Sequence, residues 1–183
     1  MIEFLEEAHI YLVNGVIVPS ITTILSATIF KDKYGNVPPH ILKQAAEFGT
    51  GVHKAVATGS WLPLDDKQYE VYLRYLKLVK KANIKPTAHE QIVHYGLLYA
   101  GTYDMEALIY DEDSLVDVKT TYYLDREYLS WQLSMYELAK GKTFKKLYAI
   151  WLPKRKDAEL VEIERKSKEE IMNLLEVYYE QLK

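Results

Sequence analysis

The sequence predicts an α/β or α+β fold in which helices flank a central mixed β-sheet. Three observations lead to this fold class. Apolar residues recur with helical spacing in the first half of the chain and again after residue 125. From residue 88 to residue 120 the spacing changes to alternate positions, which is typical of strands. The resulting order of two helices, three strands, a helix, two strands and a helix describes a mixed sheet covered by helices.

The first 18 residues are predicted to form an N-terminal β-hairpin flap on a single domain spanning residues 1–183. Asn14-Gly15 lies between two apolar runs, and this dipeptide favours a type I′ turn, which places the hairpin at residues 8–18. Residues 19–22 then offer a helix cap, followed by a first short helix at residues 22–27. A loop containing Gly and Pro follows at residues 31–39.

The remaining elements are predicted from the same spacing rules. The helices are residues 40–58, a segment from 65 that ends before Pro86, 125–140 and 167–182, and the strands are residues 90–99, 102–110, 115–120, 144–152 and 159–163. A polar turn at residues 111–113 joins the second strand to the third.

Composition restricts the class of protein. A chain of 183 residues with 49% hydrophobic and 27% charged residues is typical of one globular domain. The absence of cysteine excludes an iron–sulfur cluster and thiolate zinc sites, so oxygen and nitrogen atoms must hold any metal. No apolar run approaches the roughly 20 residues of a membrane helix, and the N-terminus lacks the order of a signal peptide. We therefore expect a cytoplasmic protein with no membrane partner.

The charge distribution leaves two interpretations open. A net charge of −3 gives no overall signature of nucleic-acid binding, but residues 142–168 carry nine Lys or Arg against four acids. This segment either faces phosphates or forms an ordinary solvated surface. Within it, residues 144–156 either follow a nucleic-acid backbone or form the outer strand of the sheet. Tyr122 and Tyr123 either stack on an unpaired base or are ordinary half-buried residues.

Two neighbouring predicted strands bring charged side chains together. Residues two apart in a strand share a face, so Asp117 and Lys119 point one way while Val116 and Val118 face the core. A turn of even length places Asp104, on the preceding strand, opposite Asp117 or Lys119 on the same solvent-facing side.

This arrangement predicts a metal site. Crowded carboxylates repel each other unless a cation lies between them, and oxygen ligands suit Mg²⁺ or Mn²⁺, as one ion or two. Such ions suit phosphodiester hydrolysis, in which Lys119 positions or deprotonates the attacking water. An exposed hairpin with a surface Asp–Lys pair is the alternative that this short pattern leaves open.

A wider pattern resembles a known nuclease family. The sequence GTYD ends at Asp104, DVKT begins at Asp117, and the next predicted helix carries Gln132 and Tyr136; GTGVH lies upstream and ends at His53. In this order and spacing the motifs resemble the PD-(D/E)xK nuclease superfamily, in its RecB-like exonuclease branch, over residues 21–140. The resemblance implies a restriction-endonuclease-like core.

The resemblance also implies roles for individual residues. Asp104 and Asp117 are implied as metal ligands with catalytic roles, and Lys119 as the catalytic lysine. The backbone carbonyl of Val118 is implied to complete the metal sphere, and His53 to join it or to orient a ligand.

Four further residues are assigned by the same resemblance. Gln132 and Tyr136 share one helical face and are implied to contact the DNA backbone or to support Lys119. Thr120, at the end of the DVKT pattern, is grouped with them as substrate-binding. Glu90 lies where related enzymes carry an acid, and is implied to support the ion from outside its ligands or to bind a second ion.

The predicted function is therefore a Mg²⁺- or Mn²⁺-dependent deoxyribonuclease, an exonuclease of DNA repair, recombination or phage DNA processing. Its predicted partners are DNA and a helicase or recombination protein, and a homo-oligomer stays open. Two alternatives remain: a non-catalytic nucleic-acid-binding adaptor that retains the nuclease fold, and a site-specific endonuclease.

Overall fold

A computed structural model describes residues 1–31, 33 and 35–183. Asp32 and Tyr34, in the loop predicted at residues 31–39, lie outside the described residues. The strands are β1 (Ile2–Leu5), β2 (Ile10–Val13), β3 (Val16–Val18), β4 (Lys85–Tyr95), β5 (Tyr99–Ile109), β6 (Glu112–Lys119), β7 (Lys146–Trp151) and β8 (Glu159–Glu162). The helices are α1 (Ile21–Ala27), α2 (Pro39–Thr58), α3 (Asp66–Lys81), α4 (Arg126–Lys140) and α5 (Lys168–Glu180).

The main sheet contains five strands, in the order β4-β5-β6-β7-β8, within the described part of the chain. Strands β6 and β7 are parallel and α4 connects them, whereas the other neighbouring pairs are antiparallel. The predicted mixed sheet flanked by helices is thereby confirmed. Because β7 lies between β6 and β8, the interpretation of residues 144–156 as the outer strand is wrong. Strands β4 and β8 form the edges of this sheet.

Helices cover both faces of the main sheet. Val116 and Val118 lie in one apolar cluster with residues of α2 and α3, as predicted for the core-facing side. Leu115 lies in a second cluster, on the opposite face, with residues of α1, α4 and α5. The prediction that Asp117 lies on a solvent-facing side is therefore wrong, because α4 covers that face and leaves Asp117 only 2% exposed.

The turn between β4 and β5 begins at Gly96, which has a left-handed φ of +57°. The predicted strands at residues 90–99 and 102–110 left residues 100–101 between them, and this boundary is wrong because β5 already begins at Tyr99. Gly101 lies within β5, where an added Cβ would be 2.7 Å from Cε1 of Tyr136. This glycine is required for close packing of the strand against α4 rather than for a turn.

The N-terminal residues form a separate three-stranded antiparallel sheet in the order β1-β2-β3. The turn between β2 and β3 lies at Asn14-Gly15, both with positive φ, as a type I′ turn requires. The sequence did not predict β1, whose four residues give too short a pattern. This sheet rests on β5, since the Tyr11 hydroxyl lies 3.0 Å from Oγ1 of Thr102. No helix among the described residues has the length and apolar character to cross a membrane.

Candidate metal centre

The candidate site lies where β5 and β6 separate. Paired positions of these strands end at Met105 and Val116. Asp104, directly before Met105 in β5, is linked to β6 through its side chain instead of its backbone. Its Oδ2 accepts a hydrogen bond from the N–H of Val118 at 2.6 Å. The side chain of Asp104 is thereby fixed to the strand that carries Asp117.

His53, Glu90 and Asp104 form a group that could hold a metal ion. One ligand atom from each lies within 4.8 Å of the others. The Nδ1 atom of His53, from α2, lies 3.4 Å from Oδ1 of Asp104. An imidazole nitrogen and carboxylate oxygens are ordinary ligands of divalent cations. This three-residue group comes from three different elements, α2, β4 and β5, so only the folded chain assembles it.

Glu90 reaches this group through an unusual backbone conformation. Its neighbours His89 and Gln91 pair with Met105 and Tyr103, so Glu90 faces Asp104 between these two pairs. Its φ is +49°. A left-handed φ is unfavourable for a residue with a side chain and persists where the surrounding structure imposes it. Burial and the nearby charge of Asp104 raise the pKa of Glu90.

Asp117 and Lys119 form an ion pair beside this group. Nζ of Lys119 lies 2.7 Å from Oδ2 of Asp117. Among the described residues, this buried oxygen receives no hydrogen bond of regular geometry, so the ion pair is its polar contact. The residues whose ligand atoms come together are therefore His53, Glu90 and Asp104, with Asp117 adjacent to them through Asp104.

The two aspartates differ in how readily they take up a proton. Burial raises the pKa of Asp117 to about 6, and the charge of Asp104 adds to this, although Lys119 opposes it. Burial also acts to raise the pKa of Asp104, but His53, Lys119 and the N–H of Val118 outweigh it and hold the pKa below its ordinary value. Asp117 is thus the less well stabilised carboxylate of the two.

Two basic side chains, His53 and Lys119, lie against these acids. Burial alone would lower the pKa of His53 and that of Lys119. Asp104 outweighs this for His53, and Asp117 together with Asp104 outweighs it for Lys119, so both pKa values are raised. Lys119 is therefore an ammonium group at neutral pH.

Gln132 and Tyr136 are buried beneath the site instead of facing solvent. Nε2 of Gln132 donates a hydrogen bond to the Tyr136 hydroxyl at 3.2 Å, and Oε1 of Gln132 has no hydrogen-bond partner among the described residues. Burial, and then the charges of Asp117 and Asp104, raise the pKa of Tyr136 well above its ordinary value. Their placement favours support of the acids over direct contact with a substrate.

Thr120 lies beside α2, directly after β6. Its Oγ1 is 3.2 Å from the position that a Cβ on Gly49 would occupy. The glycine thus allows α2, which carries His53, to approach the end of the strand that carries Lys119.

The sequence did not indicate two residues whose side chains bind the loops that follow β6 and β7. Arg74, on α3, donates hydrogen bonds to the carbonyl groups of Pro153 and Lys154, each at 2.9 Å, and also to the carbonyl of Lys156. Trp151 donates from Nε1 to the carbonyl of Thr121 at 2.8 Å. The Arg74 contacts join residues about 80 positions apart, so no local pattern could have indicated them.

The fold and the site together define an α+β protein with a candidate metal centre where β5 and β6 separate. No protein-family model matches the sequence, and no curated protein matches it. Among solved structures the chain is similar to the crystal structure of SSO0001, with a TM-score of 0.50 and 14% sequence identity. The match covers 90% of this chain and 75% of that one. At this identity the likeness concerns the fold alone.

Proposed function

We propose that this protein is a metal-dependent nuclease that hydrolyses phosphodiester bonds in DNA. We assign it to the RecB-like branch of the PD-(D/E)xK superfamily, with a restriction-endonuclease-like core. One observation carries the proposal: the metal-binding group of His53, Glu90 and Asp104 lies beside the buried Asp117–Lys119 ion pair.

The donor set fits a hard divalent cation. His53, Glu90 and Asp104 would hold it, and Asp117 lies beside them with its Oδ2 in the ion pair with Lys119. Several carboxylates with one imidazole suit Mg²⁺ or Mn²⁺. When bound, such an ion supplies Lewis-acid polarisation of a phosphate oxygen. It would also offset the repulsion that raises the pKa of Asp117.

Lys119 is proposed to act as a fixed positive charge. Because its pKa is raised, the side chain is protonated at neutral pH and can donate a hydrogen bond to a phosphate oxygen or to the attacking water. A protonated lysine cannot accept the proton of that water. Of the two predicted roles, positioning and charge stabilisation is therefore favoured over deprotonation.

Gln132 and Tyr136 are proposed to position the acids. The raised pKa of Tyr136 keeps its hydroxyl protonated, so it remains a hydrogen-bond donor next to Asp117 and Asp104. A neutral donor under two carboxylates stabilises their charged forms without competing for the cation.

The proposed reaction is exonucleolytic, and it is tested by the form of the DNA that is degraded. The protein is incubated with linear and closed circular DNA, single- and double-stranded, with Mg²⁺, Mn²⁺ or EDTA. We expect metal-dependent loss of linear DNA and intact circles. Cleavage of closed circles would identify an endonuclease instead. If neither Mg²⁺ nor Mn²⁺ supports cleavage, the proposed nuclease activity is wrong, and a non-catalytic DNA-binding adaptor is favoured.

A further inference from the structure

Two tyrosine side chains directly after β6 project into solvent. Tyr122 is 96% exposed and Tyr123 is 76% exposed. A single exposed aromatic side chain is common in proteins, but two in succession beside a proposed active site form an apolar surface that this chain does not cover. We call residues 122 and 123 the tyrosine pair.

The backbone that carries the tyrosine pair is anchored on both sides. Trp151 donates a hydrogen bond from Nε1 to the carbonyl of Thr121, and Oγ1 of Thr121 donates one to the carbonyl of Tyr123 at 2.7 Å. Leu124 is buried, and Asp125 then caps α4 by accepting from the N–H of Tyr128 at 3.0 Å. The exposed rings are therefore presented by an ordered segment, and a ligand need not order it on binding.

The tyrosine pair lies close to the proposed chemistry. Tyr122 follows Lys119 by three residues, so their Cα atoms are at most about 11 Å apart. Along the axis of duplex DNA one strand rises by about 3.4 Å per nucleotide, and an extended single strand rises by more. A strand bound with a phosphate at Lys119 would therefore bring bases to the tyrosine pair within roughly three nucleotides.

A basic loop follows β7 at the end of the sheet where the tyrosine pair follows β6. We use this name for residues 153–156, in which Lys154, Arg155 and Lys156 are exposed. Because β6 and β7 are parallel, the loops that follow them start side by side, and the N–H of Leu152 donates to the carbonyl of Lys119 at 2.7 Å. Arg74 fixes the shape of the basic loop through its carbonyl groups.

The charges of the basic loop are available to a ligand. No ion pair joins Lys154, Arg155 or Lys156 to an acid within residues 1–31, 33 and 35–183. Nζ of Lys154 lies over the ring of Phe48, 4.2 Å from its centroid, a contact that does not neutralise its charge. A groove beside Tyr123 is lined by three acids, Asp125, Glu127 and Glu159, and one basic residue, Arg126, so its charge does not favour phosphate. Phosphates are therefore expected along the basic loop and bases at the tyrosine pair.

We propose that the tyrosine pair and the basic loop form a binding surface for single-stranded DNA next to the metal centre. Aromatic rings stack on the faces of unpaired bases, which a duplex keeps stacked on each other, while basic side chains follow the phosphates. This proposal rests on the proposed nuclease function and adds the form of its substrate: a strand with accessible bases.

The test compares the affinity of variants for a fluorescent oligothymidylate of about 16 nucleotides, the upper end of site sizes for such surfaces. Binding is measured in EDTA, so that the DNA stays intact. For Tyr122→Ala/Tyr123→Ala we expect an affinity roughly 10- to 100-fold lower than that of the unmodified protein. Affinity for a duplex of equal length should change far less. Tyr110→Ala is the matched control, because Tyr110 is exposed but lies at the opposite end of β6.

The basic loop is tested through the salt dependence of binding. Each phosphate contact to single-stranded DNA contributes about 0.7 to the slope of log affinity against log salt concentration. Lys154→Ala/Arg155→Ala/Lys156→Ala should therefore reduce this slope by about two. The proposal is overturned if the tyrosine variant binds the single strand as tightly as the unmodified protein, or if it loses duplex binding equally.

The outcomes separate this surface from the nuclease itself. If the unmodified protein binds single strands through the tyrosine pair but never cleaves DNA with Mg²⁺ or Mn²⁺, the proposed nuclease activity is wrong and the proposed binding surface is supported. If the unmodified protein cleaves DNA and the tyrosine variant both binds and cleaves single strands normally, the proposed binding surface is wrong and the proposed nuclease activity is supported.

Discussion

Oδ2 of Asp104 accepts a hydrogen bond of 2.6 Å from the backbone N–H of Val118. This bond takes the place of a backbone bond between the two strands just beyond their last paired positions. A change in the position of β6 would therefore move both aspartates of the site together, because Asp117 precedes Val118 directly.

Substituting Asp104 in two ways separates its hydrogen bond from its charge. Asp104→Asn retains an oxygen that can accept from Val118, whereas Asp104→Ala leaves that N–H without a partner. We expect the alanine variant to have a free energy of unfolding lower than that of the asparagine variant by roughly 1–3 kcal/mol, measured by urea denaturation. Both remove the same negative charge, so the comparison isolates the hydrogen bond. Equal stabilities would contradict its role.

Metal binding is expected to stabilise the protein. A ligand that binds only the folded state adds about 2.7 kcal/mol at 100 times its dissociation constant. Mg²⁺ or Mn²⁺ should therefore raise the Tm, and EDTA should reverse the rise. His53→Ala and Asp104→Asn should weaken this response, whereas Glu180→Gln, an exposed acid on α5, should retain it. A full response in the His53 and Asp104 variants would exclude their group as the binding site.

Lys119→Ala should slow metal-dependent DNA cleavage with little effect on folding. Removing one donor that stabilises developing charge typically reduces the rate by roughly 10²- to 10³-fold. Single-turnover cleavage measures the rate, and thermal unfolding checks the fold. Lys145→Ala is a suitable control, since Lys145 is exposed just before β7, at the end of the sheet remote from Lys119. Undiminished cleavage by the Lys119 variant would refute its proposed role.

Gly101→Ala should destabilise the protein. The new Cβ would lie 2.7 Å from Cε1 of Tyr136, a buried ring with little room to move. Overpacking of this kind lowers the free energy of unfolding by roughly 1–3 kcal/mol. Gly49→Ala is the milder comparison, because its Cβ would meet Oγ1 of Thr120 at 3.2 Å. If Gly101→Ala proved no more destabilising than Gly49→Ala, the close approach of α4 to β5 would be wrong.

Stability should fall in acid partly through Glu106. Burial acts to raise the pKa of Glu106, but Tyr103, Lys140 and Lys142 outweigh it and lower the pKa. A lowered pKa in the folded state stabilises the protein above the unfolded pKa of about 4.3, and this stability is lost as pH falls through the folded value. Glu106→Gln should therefore lower the free energy of unfolding by roughly 1–3 kcal/mol at pH 7.

The same variant should flatten the dependence of stability on pH below about pH 5. Urea unfolding at several pH values gives both quantities. Glu180→Gln is again the control, because its side chain is exposed. An unchanged acid profile for Glu106→Gln would show that its three partners do not lower its pKa.

Local pattern was sufficient for the mixed sheet and for the proximity of Asp104 to the strand that carries Asp117. Alternation alone placed Val116 and Val118 in the core, and strand pairing placed Asp104 near Asp117. Pattern failed where contacts distant in sequence decide the outcome. The residues of β6 alone do not reveal that α4, which follows β6, returns across the sheet and covers the face of Asp117. That face was therefore predicted to be open.

Strand boundaries were the second source of error. The predicted strands left Gly101 between them, but the structure places Gly101 within β5, where it allows the close approach of Tyr136. Glu90 was the least defined of the predicted site residues, and the structure brings it to His53 and Asp104. Its left-handed φ has no sequence signal, because the conformation is imposed by its neighbours.

The covered position of β6 also bears on how the protein moves. It is the middle strand of five within the described residues, with β5 on one side and β7 on the other, and its residues from Leu115 to Val118 are almost completely buried. Amide hydrogens in such a strand exchange with solvent only when the whole sheet opens. Asp117 and Lys119 are therefore carried by the strand whose amides we expect to exchange most slowly, so fluctuations at the sheet edges and in the N-terminal sheet should leave the spacing of these two residues intact.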